Sequence, residues 1–403
     1  MTRVFVTSPV WSLNGVNTFS ARLIEGLAGS SIDARLLLTG VTYREKKPMP
    51  LPLNVPVEHL RIPTIATWSR RRRAMLDLLE KNAPCIYLPN HDFQHSCVSP
   101  ALSSRVGIIG IAHSDDRQHY DHVERLGKTW NATVAVSRKI GARLRESGFV
   151  DPERVVAIPY GVGTAHEPLT RTLSDRIRII YTGRLDAEQK RVGDLISVAA
   201  LLQDRGVNFT MSIVGAGPER GALKRAVDRH GLAQRVQILE TVDNETAVGM
   251  CAASDVFMLP SAYEGMPIGV LEAMGQGCVP VVTDIDSGVP ELITNGVNGF
   301  TVARGDIKAF ADRVATLHAD ATTLARMSTE AMLTITRDGY TAGEMIDRYV
   351  ALIERVSSEV KSGRYRRPGD GRIANAPMSS RDRIAAPFWR LRPSLRMQQG
   401  VSA

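Results

Sequence analysis

The sequence predicts an α/β protein of two doubly wound parallel-sheet domains facing a central cleft, followed by a C-terminal helix and a basic tail. Two observations carry this. Apolar, β-branched runs alternate with amphipathic helical stretches along most of the chain, and runs that apolar are buried on both faces, as in parallel sheets covered by helices. The runs also form two series, separated at GVGTAHEPLTRTLSD, residues 161–175, where turn and polar residues replace the periodic ones.

In the first series the strands are placed at 3–8, 34–39, 85–89, 106–112, 133–137 and 154–159. In the second they are placed at 176–182, 209–215, 235–239, 255–260 and 279–283. Two Rossmann-like units follow, an acceptor-side domain over 1–165 and a second domain over 175–342. Residues 343–360 read as a helix, because Met345, Ile346, Tyr349, Leu352, Ile353 and Val356 recur at helical spacing. Such a stripe must be covered, and the N-terminal domain is its expected cover. Residues 361–403 form the tail. Ligands of doubly wound sheets bind beyond the carboxyl ends of the strands, which puts the site in the crevice between the halves.

Bulk properties narrow the function. The net charge is +8 over 403 residues, and residues 361–403 alone hold ten Lys or Arg against two Asp. The folded part is thus neutral, and with no recognisable nucleic-acid module this argues against nucleic acid as a partner. Cys85, Cys97, Cys251 and Cys278 are far apart and show no C-x-x-C spacing, so neither a disulfide framework nor a zinc site is expected. The first strand begins almost at the N-terminus, and no apolar run approaches a membrane span. A soluble, cytoplasmic protein is expected.

The most informative stretch is EGMPIGVLE, residues 264–272. A capping box from Ser261 to Glu264 would put Pro267 inside the helix, where it lacks a needed N–H and clashes with the preceding turn. The helix is therefore expected to enter through Gly265 and Met266, with Pro267 near its first turn. Glu264 then precedes the helix and Glu272 lies more than one turn inside. The free N–H groups and positive dipole end between them suit a phosphate. Carboxylates beside a phosphate would repel it, so they are better read as acceptors of hydroxyl hydrogen bonds. Hydroxyls on both sides of a phosphate describe a nucleotide sugar.

Other strand ends face the same crevice. After the strand at 176–182, Gly183 opens a turn, Arg184 follows, and Lys190 is expected at the start of an amphipathic helix, where a cation opposes the dipole unless an anion binds there. A solvated Lys-Arg pair is the plainer alternative. Asn14 and Gly15 follow the first strand and lead to a helix expected near Asn17 or Thr18, where they could bring backbone N–H groups to an anion; on this stretch alone an ordinary turn is the better reading. His113 ends the strand at 106–112, a position more often structural than catalytic. HDFQH (His91, Asp92, His95) and the Asp284-x-Asp286 pair are read as a loop and a turn, without further metal ligands. Gly215 and Gly217 resemble a dinucleotide fingerprint, but Gly221 comes one place too late, so a tight strand-to-helix turn is preferred.

Taken together, GRLDAEQKR, VGAGPERGALK, DVFMLPSAYEGMPIGVLEAMGQGCVPVV and GVPELITNGVNGF, in this order and spacing, resemble the second domain of family-four retaining glycosyltransferases with the GT-B fold. The resemblance covers roughly residues 1–355 and is most specific from 180 to 303. It implies that Arg184 and Lys190 hold the donor diphosphate and neutralise its developing charge. It implies that Glu264 accepts from hydroxyls of the transferred sugar, with the backbone of Gly265, Met266, Pro267 and Ile268 beside it. Glu272 would bind the ribose, Thr241 and Val242 would meet the base, Gly15 with Asn14 would form the acceptor-side loop, and His113 would lie near the reacting sugar. Asn14-Gly15 stands where a glycine pair is common, E-G-M-P replaces the frequent E-G-F-G, and Tyr160 replaces an Asn; these bear on donor identity more than on the reaction.

The implied activity is metal-independent transfer of a sugar from a UDP- or GDP-linked donor to a hydroxyl of a glycan or lipid-linked acceptor, as in bacterial glycan, glycolipid or polysaccharide biosynthesis. No cofactor is expected beyond the nucleotide sugar as co-substrate. Two alternatives remain: a GT-B sugar-nucleotide enzyme of the epimerase type, and a Rossmann-type nicotinamide enzyme. The tail has Pro368, Pro377, Pro387 and Pro393 and reads as flexible. Its interleaved Phe388, Trp389, Arg390 and Arg392 also suit peripheral contact with an anionic membrane at the inner face, as do Arg70 to Arg73.

Overall fold

The computed structural model describes residues 1–40, 49–52, 54–62, 66–165, 175–363, 365, 367–368 and 371–374. The first unit contains β1 (Thr2–Ser8), α1 (Gly15–Ala28), β2 (Ile32–Leu38), β3 (Val57–His59), α2 (Trp68–Lys81), β4 (Cys85–Leu88), β5 (Val106–Ala112), α3 (Arg117–Leu126), β6 (Ala132–Ala135), α4 (Arg138–Glu146) and β7 (Val155–Ala157). Its seven strands run in the order β3-β2-β1-β4-β5-β6-β7, all parallel.

The second unit contains β8 (Ile177–Thr182), α5 (Gly193–Asp204), β9 (Phe209–Val214), α6 (Arg220–Arg229), β10 (Val236–Leu239), α7 (Asn244–Ala252), β11 (Val256–Leu259), α8 (Ile268–Gly275), β12 (Val279–Thr283), α9 (Val289–Leu292), β13 (Phe300–Val302), α10 (Ile307–Ala319) and α11 (Ala321–Arg337). Its six strands run β10-β9-β8-β11-β12-β13, again parallel. These are two doubly wound α/β sheets, the GT-B arrangement. In each, the order reverses beside the first strand, between β1 and β4 and between β8 and β11. Crevices open at such switch points, beyond the strands' carboxyl ends.

Fully apolar strands explain the layering. β4, β5, β6, β11 and β12 are buried along their whole length, so each needs a helical layer on both faces. Helix α12 (Ala342–Ser362) returns to the first unit. A Cβ on Gly26 of α1 would lie 2.0 Å from Ile346, and one on Gly107 of β5 would lie 2.7 Å from Val356, so glycines let α12 seat closely. The chain crosses between units side by side: Val162 N–H donates to Tyr340 O and Ala342 N–H to Val162 O, each at 2.9 Å.

Several local expectations need correction. Helix α1 starts at Gly15, before Asn17, because the Asn14 side chain accepts from Asn17 N–H at 3.0 Å and caps it. Helix α5 starts at Gly193, so Lys190 lies in the preceding loop; Asp186 Oδ1 accepts from the N–H of Gln189 at 2.8 Å and of Lys190 at 3.1 Å, and Arg191 turns left-handed with φ +48°. Pro267 is the N-cap of α8. β3 and β13, three residues each at or near sheet edges, were not expected from the sequence.

The start of the tail departs from the flexible reading. Tyr365 is buried, with its hydroxyl donating to Trp130 O at 3.2 Å. Arg367 donates to Thr129 O, Leu102 O, Ser103 O and Val106 O at 2.9, 2.6, 2.8 and 2.5 Å. Ala374 N–H reaches Cys97 O at 2.9 Å. The membrane expectation for Phe388 to Arg392 lies outside the described residues. In α2 the basic run is half withdrawn: Arg71 and Arg72 are buried, and Arg72 donates to the backbone and side chain of Gln94 at 3.1 Å each. Among the described residues no helix is long and apolar enough to cross a membrane.

Candidate active site

The loop after β8 is stitched to the loop after β9. Leu185 N–H donates to Ala216 O, Gly183 N–H to Val214 O, and Glu219 N–H to Leu185 O, at 2.9, 3.0 and 3.1 Å. A Cβ on Gly215 would lie 1.9 Å from Gly183 O, and one on Gly217 would lie 2.1 Å from Leu185 O. These glycines therefore admit a neighbouring loop of the chain at the place where a dinucleotide fingerprint would admit a pyrophosphate. The arrangement holds Arg184 at the mouth of the crevice with its side chain exposed, paired with Asp186 at 2.7 Å and donating to Gln189 Oε1 at 2.5 Å.

Gln189 then ties this loop to the one after β11. Its carbonyl accepts from Ala262 N–H at 2.7 Å and its side-chain amide donates to Tyr263 O at 3.2 Å. The next residue of each loop completes the contact: Lys190 Nζ lies 2.5 Å from Glu264 Oε1, with both side chains largely buried. Gln189 was not anticipated from the sequence, since a neutral amide in a polar loop carries no local signal.

Beyond Glu264, Gly265, Met266 and Pro267 are buried and lead into α8. The first N–H groups of α8, from Ile268 and Gly269, have no preceding helical carbonyl to bond and face the space before the helix. Across the cleft, a Cβ on Gly15 would lie 3.2 Å from Ile268 Cδ1, and one on Gly265 would lie 2.6 Å from His113 O. The starts of α1 and α8 thus meet, and glycine is needed at 265 for the loop before α8 to lie this close to the backbone of His113.

Glu272, one turn further along α8, is buried and faces α1 and α7. Its Oε1 accepts from Asn244 Nδ2 at 2.7 Å and from Arg22 Nη2 at 3.3 Å. Burial pushes its carboxyl above the usual range, and Arg22 opposes that shift. Thr241 and Val242 lie between β10 and the Asp243 cap of α7, two or three residues before Asn244. Arg22 escaped the sequence reading, because it lies within a helix and its partner is 250 positions away.

His113 is wholly engaged. Its Nε2 is 2.5 Å from Asn90 Oδ1 and its Nδ1 is 2.8 Å from the Tyr160 hydroxyl. Asn90 Nδ2 donates to Thr7 O and Ser20 Oγ, which fixes its oxygen toward the ring. Nε2 therefore carries the proton and Tyr160 donates to Nδ1. Burial holds this imidazole well below its ordinary pKa. The neutral ring packs edge-on to Phe19, and the backbone of His113 is what meets Gly265.

Charged groups line the cleft rim. The Glu291 carboxylate accepts from Arg138 N–H at 2.9 Å and Lys139 N–H at 3.0 Å, capping α4 from the opposite unit. Asp286 pairs with Lys139 and Arg143, and Arg143 also holds Asp115. Asp92 bonds Thr39 and His95, which ties the HDFQH loop to the end of β2, while His95 Nε2 is buried with no hydrogen-bond partner among the described residues. Among the described residues no three His, Cys, Asp or Glu are placed to hold a metal ion.

Residues 176–320 match the family model described as Glycosyl transferases group 1. The alpha-D-kanosaminyltransferase of Streptomyces kanamyceticus is 35% identical over 159 residues, 40% of this chain and 41% of that protein. The GDP-mannose-dependent alpha-(1-6)-phosphatidylinositol monomannoside mannosyltransferase of Mycolicibacterium smegmatis is 30% identical over 215 residues, 49% and 56% of the two chains. The matched part thus spans about half the length of these relatives. Anabaena Alr3699/HepE, solved in complex with UDP, is similar in fold with a TM-score of 0.70 at 16% identity, covering 88% of this chain and 100% of that one.

Proposed function

We propose, from the match of residues 176–320 to the Glycosyl transferases group 1 model, that this chain transfers a sugar from a nucleoside-diphosphate sugar to a hydroxyl acceptor, retaining the anomeric configuration. The observation that carries the reading is the 2.5 Å contact between Lys190 and Glu264 beside the start of α8, with Arg184 on the adjoining loop. A cation for a diphosphate and an acceptor for sugar hydroxyls lie side by side, and both fall within the matched residues.

In this reading Arg184, Lys190 and the first N–H groups of α8 bind the diphosphate. They stabilise the charge that grows on it as the bond from the anomeric carbon to the phosphate oxygen breaks. The acceptor oxygen bonds to the same face of that carbon, and its proton passes to the departing phosphate. Glu264 orients the sugar through its hydroxyls, and Glu272 takes the ribose. The role of His113 is to hold the backbone against which Gly265 closes. The two cations carry the leaving charge, so the reading includes no resident metal, and unchanged turnover in a chelator is the corresponding expectation.

UDP and GDP both stay within the reading, since one similar protein is named as GDP-mannose-dependent and another was solved with UDP. The acceptor is a glycan or a lipid-linked glycan in bacterial polysaccharide or glycolipid biosynthesis, met at the inner face of the membrane, with the basic tail as the peripheral contact. A thermal-shift screen of UDP, GDP and their sugars tests the donor assignment. The expected result is stabilisation by at least one of them that is abolished by Lys190→Ala, with turnover lowered about 10²–10³-fold. Stabilisation by nicotinamide dinucleotides alone, or a nucleotide response indifferent to Lys190, overturns it.

A further inference from the structure

The two oxygens of Glu272 are not equivalent. Oε1 takes both protein bonds, from Asn244 Nδ2 at 2.7 Å and from Arg22 Nη2 at 3.3 Å. Among the described residues no hydrogen bond reaches Oε2. The donors come from different units, Asn244 from the start of α7 and Arg22 from the middle of α1. Arg22 is itself anchored, its Nη1 donating to Gly161 O at 2.6 Å in the segment that crosses between the units, and its Nη2 also lies 3.3 Å from Asn244 Oδ1. One guanidinium therefore joins α1, the linker, α7 and α8.

We propose that Arg22 is a positioning residue for the ribose of the donor, acting through Glu272 from the opposite side of the cleft. Arg22 and Asn244 turn Oε1 inward and leave Oε2 to accept ribose hydroxyls. This rests on the donor reading given above and adds to it a residue outside the matched 176–320 segment.

The chemistry gives Arg22 a second, separable effect. Glu272 is almost fully buried, and burial disfavours its charged form. α8 brings no other ionisable side chain, and α7 contributes the neutral Asn244; the opposing positive charge comes from Arg22 on α1. A carboxylate accepts hydroxyl bonds more strongly than a carboxylic acid. Removing the Arg22 charge thus weakens ribose recognition most where protonation of Glu272 is easiest, at the acid end. An ordering role confined to packing would weaken it equally at every pH.

The test is calorimetric titration of the full chain with UDP and with GDP between pH 6 and pH 8. Wild type, Arg22→Gln, Arg22→Lys, Asn244→Ala and Glu272→Gln are compared. Glu272→Gln supplies the baseline for protonation of the phosphates themselves. Relative to that baseline, wild type and Arg22→Lys are expected to hold a constant affinity. Arg22→Gln is expected to lose affinity progressively from pH 8 to pH 6, as a carboxyl that has lost its counter-charge takes up a proton more readily. Asn244→Ala, which removes a bond favouring the carboxylate but no charge, is expected to bind more weakly with a slope in the same direction and smaller than that of Arg22→Gln. Arg22→Ala stands in for Arg22→Gln if the glutamine variant does not fold. A loss in Arg22→Gln that is equal at all pH values, or no loss, overturns the proposal while leaving the donor reading intact. If Glu272→Gln binds as tightly as wild type, the ribose assignment falls and this proposal with it. If wild type binds neither nucleotide, the donor reading itself is wrong.

Discussion

Lys190 and Glu264 are paired at 2.5 Å, although the proposed function gives one to a diphosphate and the other to a sugar. A donor must therefore compete with Glu264 for the ammonium. The carboxylate also repels the phosphates next to it. Glu264→Gln keeps the shape and an acceptor oxygen but removes the charge. Nucleoside diphosphate alone is then expected to bind at least as tightly as to wild type, while sugar transfer falls about 10²-fold or more with the loss of hydroxyl orientation. Lys190→Met should weaken nucleotide binding and also lower stability by about 3 kcal/mol, because it leaves a buried carboxylate without a counter-charge. In the double variant part of that stability should return. Additive stability losses in the double-mutant cycle would show that the pair is not coupled.

Closure of the two units depends on a missing side chain. A Cβ at position 265 would meet His113 O at 2.6 Å and Ser114 Cα at 2.8 Å, both backbone atoms that cannot swing away. At Gly15 the neighbour is the end of a flexible Ile268 side chain at 3.2 Å. Gly265→Ala is thus expected to hold the cleft open, raising the radius of gyration in solution scattering and lowering kcat/KM at least tenfold, a cost of about 1.4 kcal/mol or more at the transition state. Gly15→Ala should do much less. Equal effects from the two substitutions would contradict this ordering.

What could be read in the sequence was whatever local chemistry decides. Pro267 and Gly265 set the entry to α8, and apolar runs placed eleven of the thirteen strands. β3, with the sequence VEH, and β13, with FTV, are too short to show alternation, and their pairing is imposed by β2 and β12. Lys190 was expected to open a helix, and it lies in a loop instead, because Arg191 turns left-handed and α5 begins only at Gly193. Arg22, Gln189 and the Tyr160–His113–Asn90 relay depend on contacts between segments distant in the chain. No window of sequence contains them.

Two buried histidines predict an acid limit to stability. His113 is held well below its ordinary pKa by burial, and His122, between Phe93 and Trp130 with no partner for either ring nitrogen among the described residues, is pushed down to about 3. Both take up a proton more readily in the unfolded chain. Their contribution is therefore fully present above the unfolded value of about 6.5 and is lost as pH falls from there toward the folded values. Each adds a slope of up to about 1.4 kcal/mol per pH unit in that window. Unfolding measured from pH 8 to pH 5 should show stability falling below pH 6.5. His122→Phe, which keeps the aromatic contacts, should flatten the fall by up to about half, and an unchanged slope would remove His122 from the explanation.

The docked start of the tail changes how membrane contact must be tested. A chain ending at residue 360 loses the last residues of α12, together with Tyr365 and the four carbonyls' bonds to Arg367, so it confounds folding with surface binding. A chain ending at residue 374 keeps those contacts and removes Arg381, Arg383, Phe388, Trp389, Arg390, Arg392 and Arg396. The shorter truncation is expected to unfold several degrees below wild type, since each carbonyl left without its donor costs about 1 kcal/mol or more. The 374-residue chain should unfold with wild type. Co-sedimentation with vesicles containing anionic lipid should fall sharply for the 374-residue chain, and the binding of the full chain should weaken as salt rises. If the 374-residue chain sediments as fully as the intact protein, the basic segment does not carry the contact. The exposed Arg70 and Arg73 of α2 then become the positions to substitute.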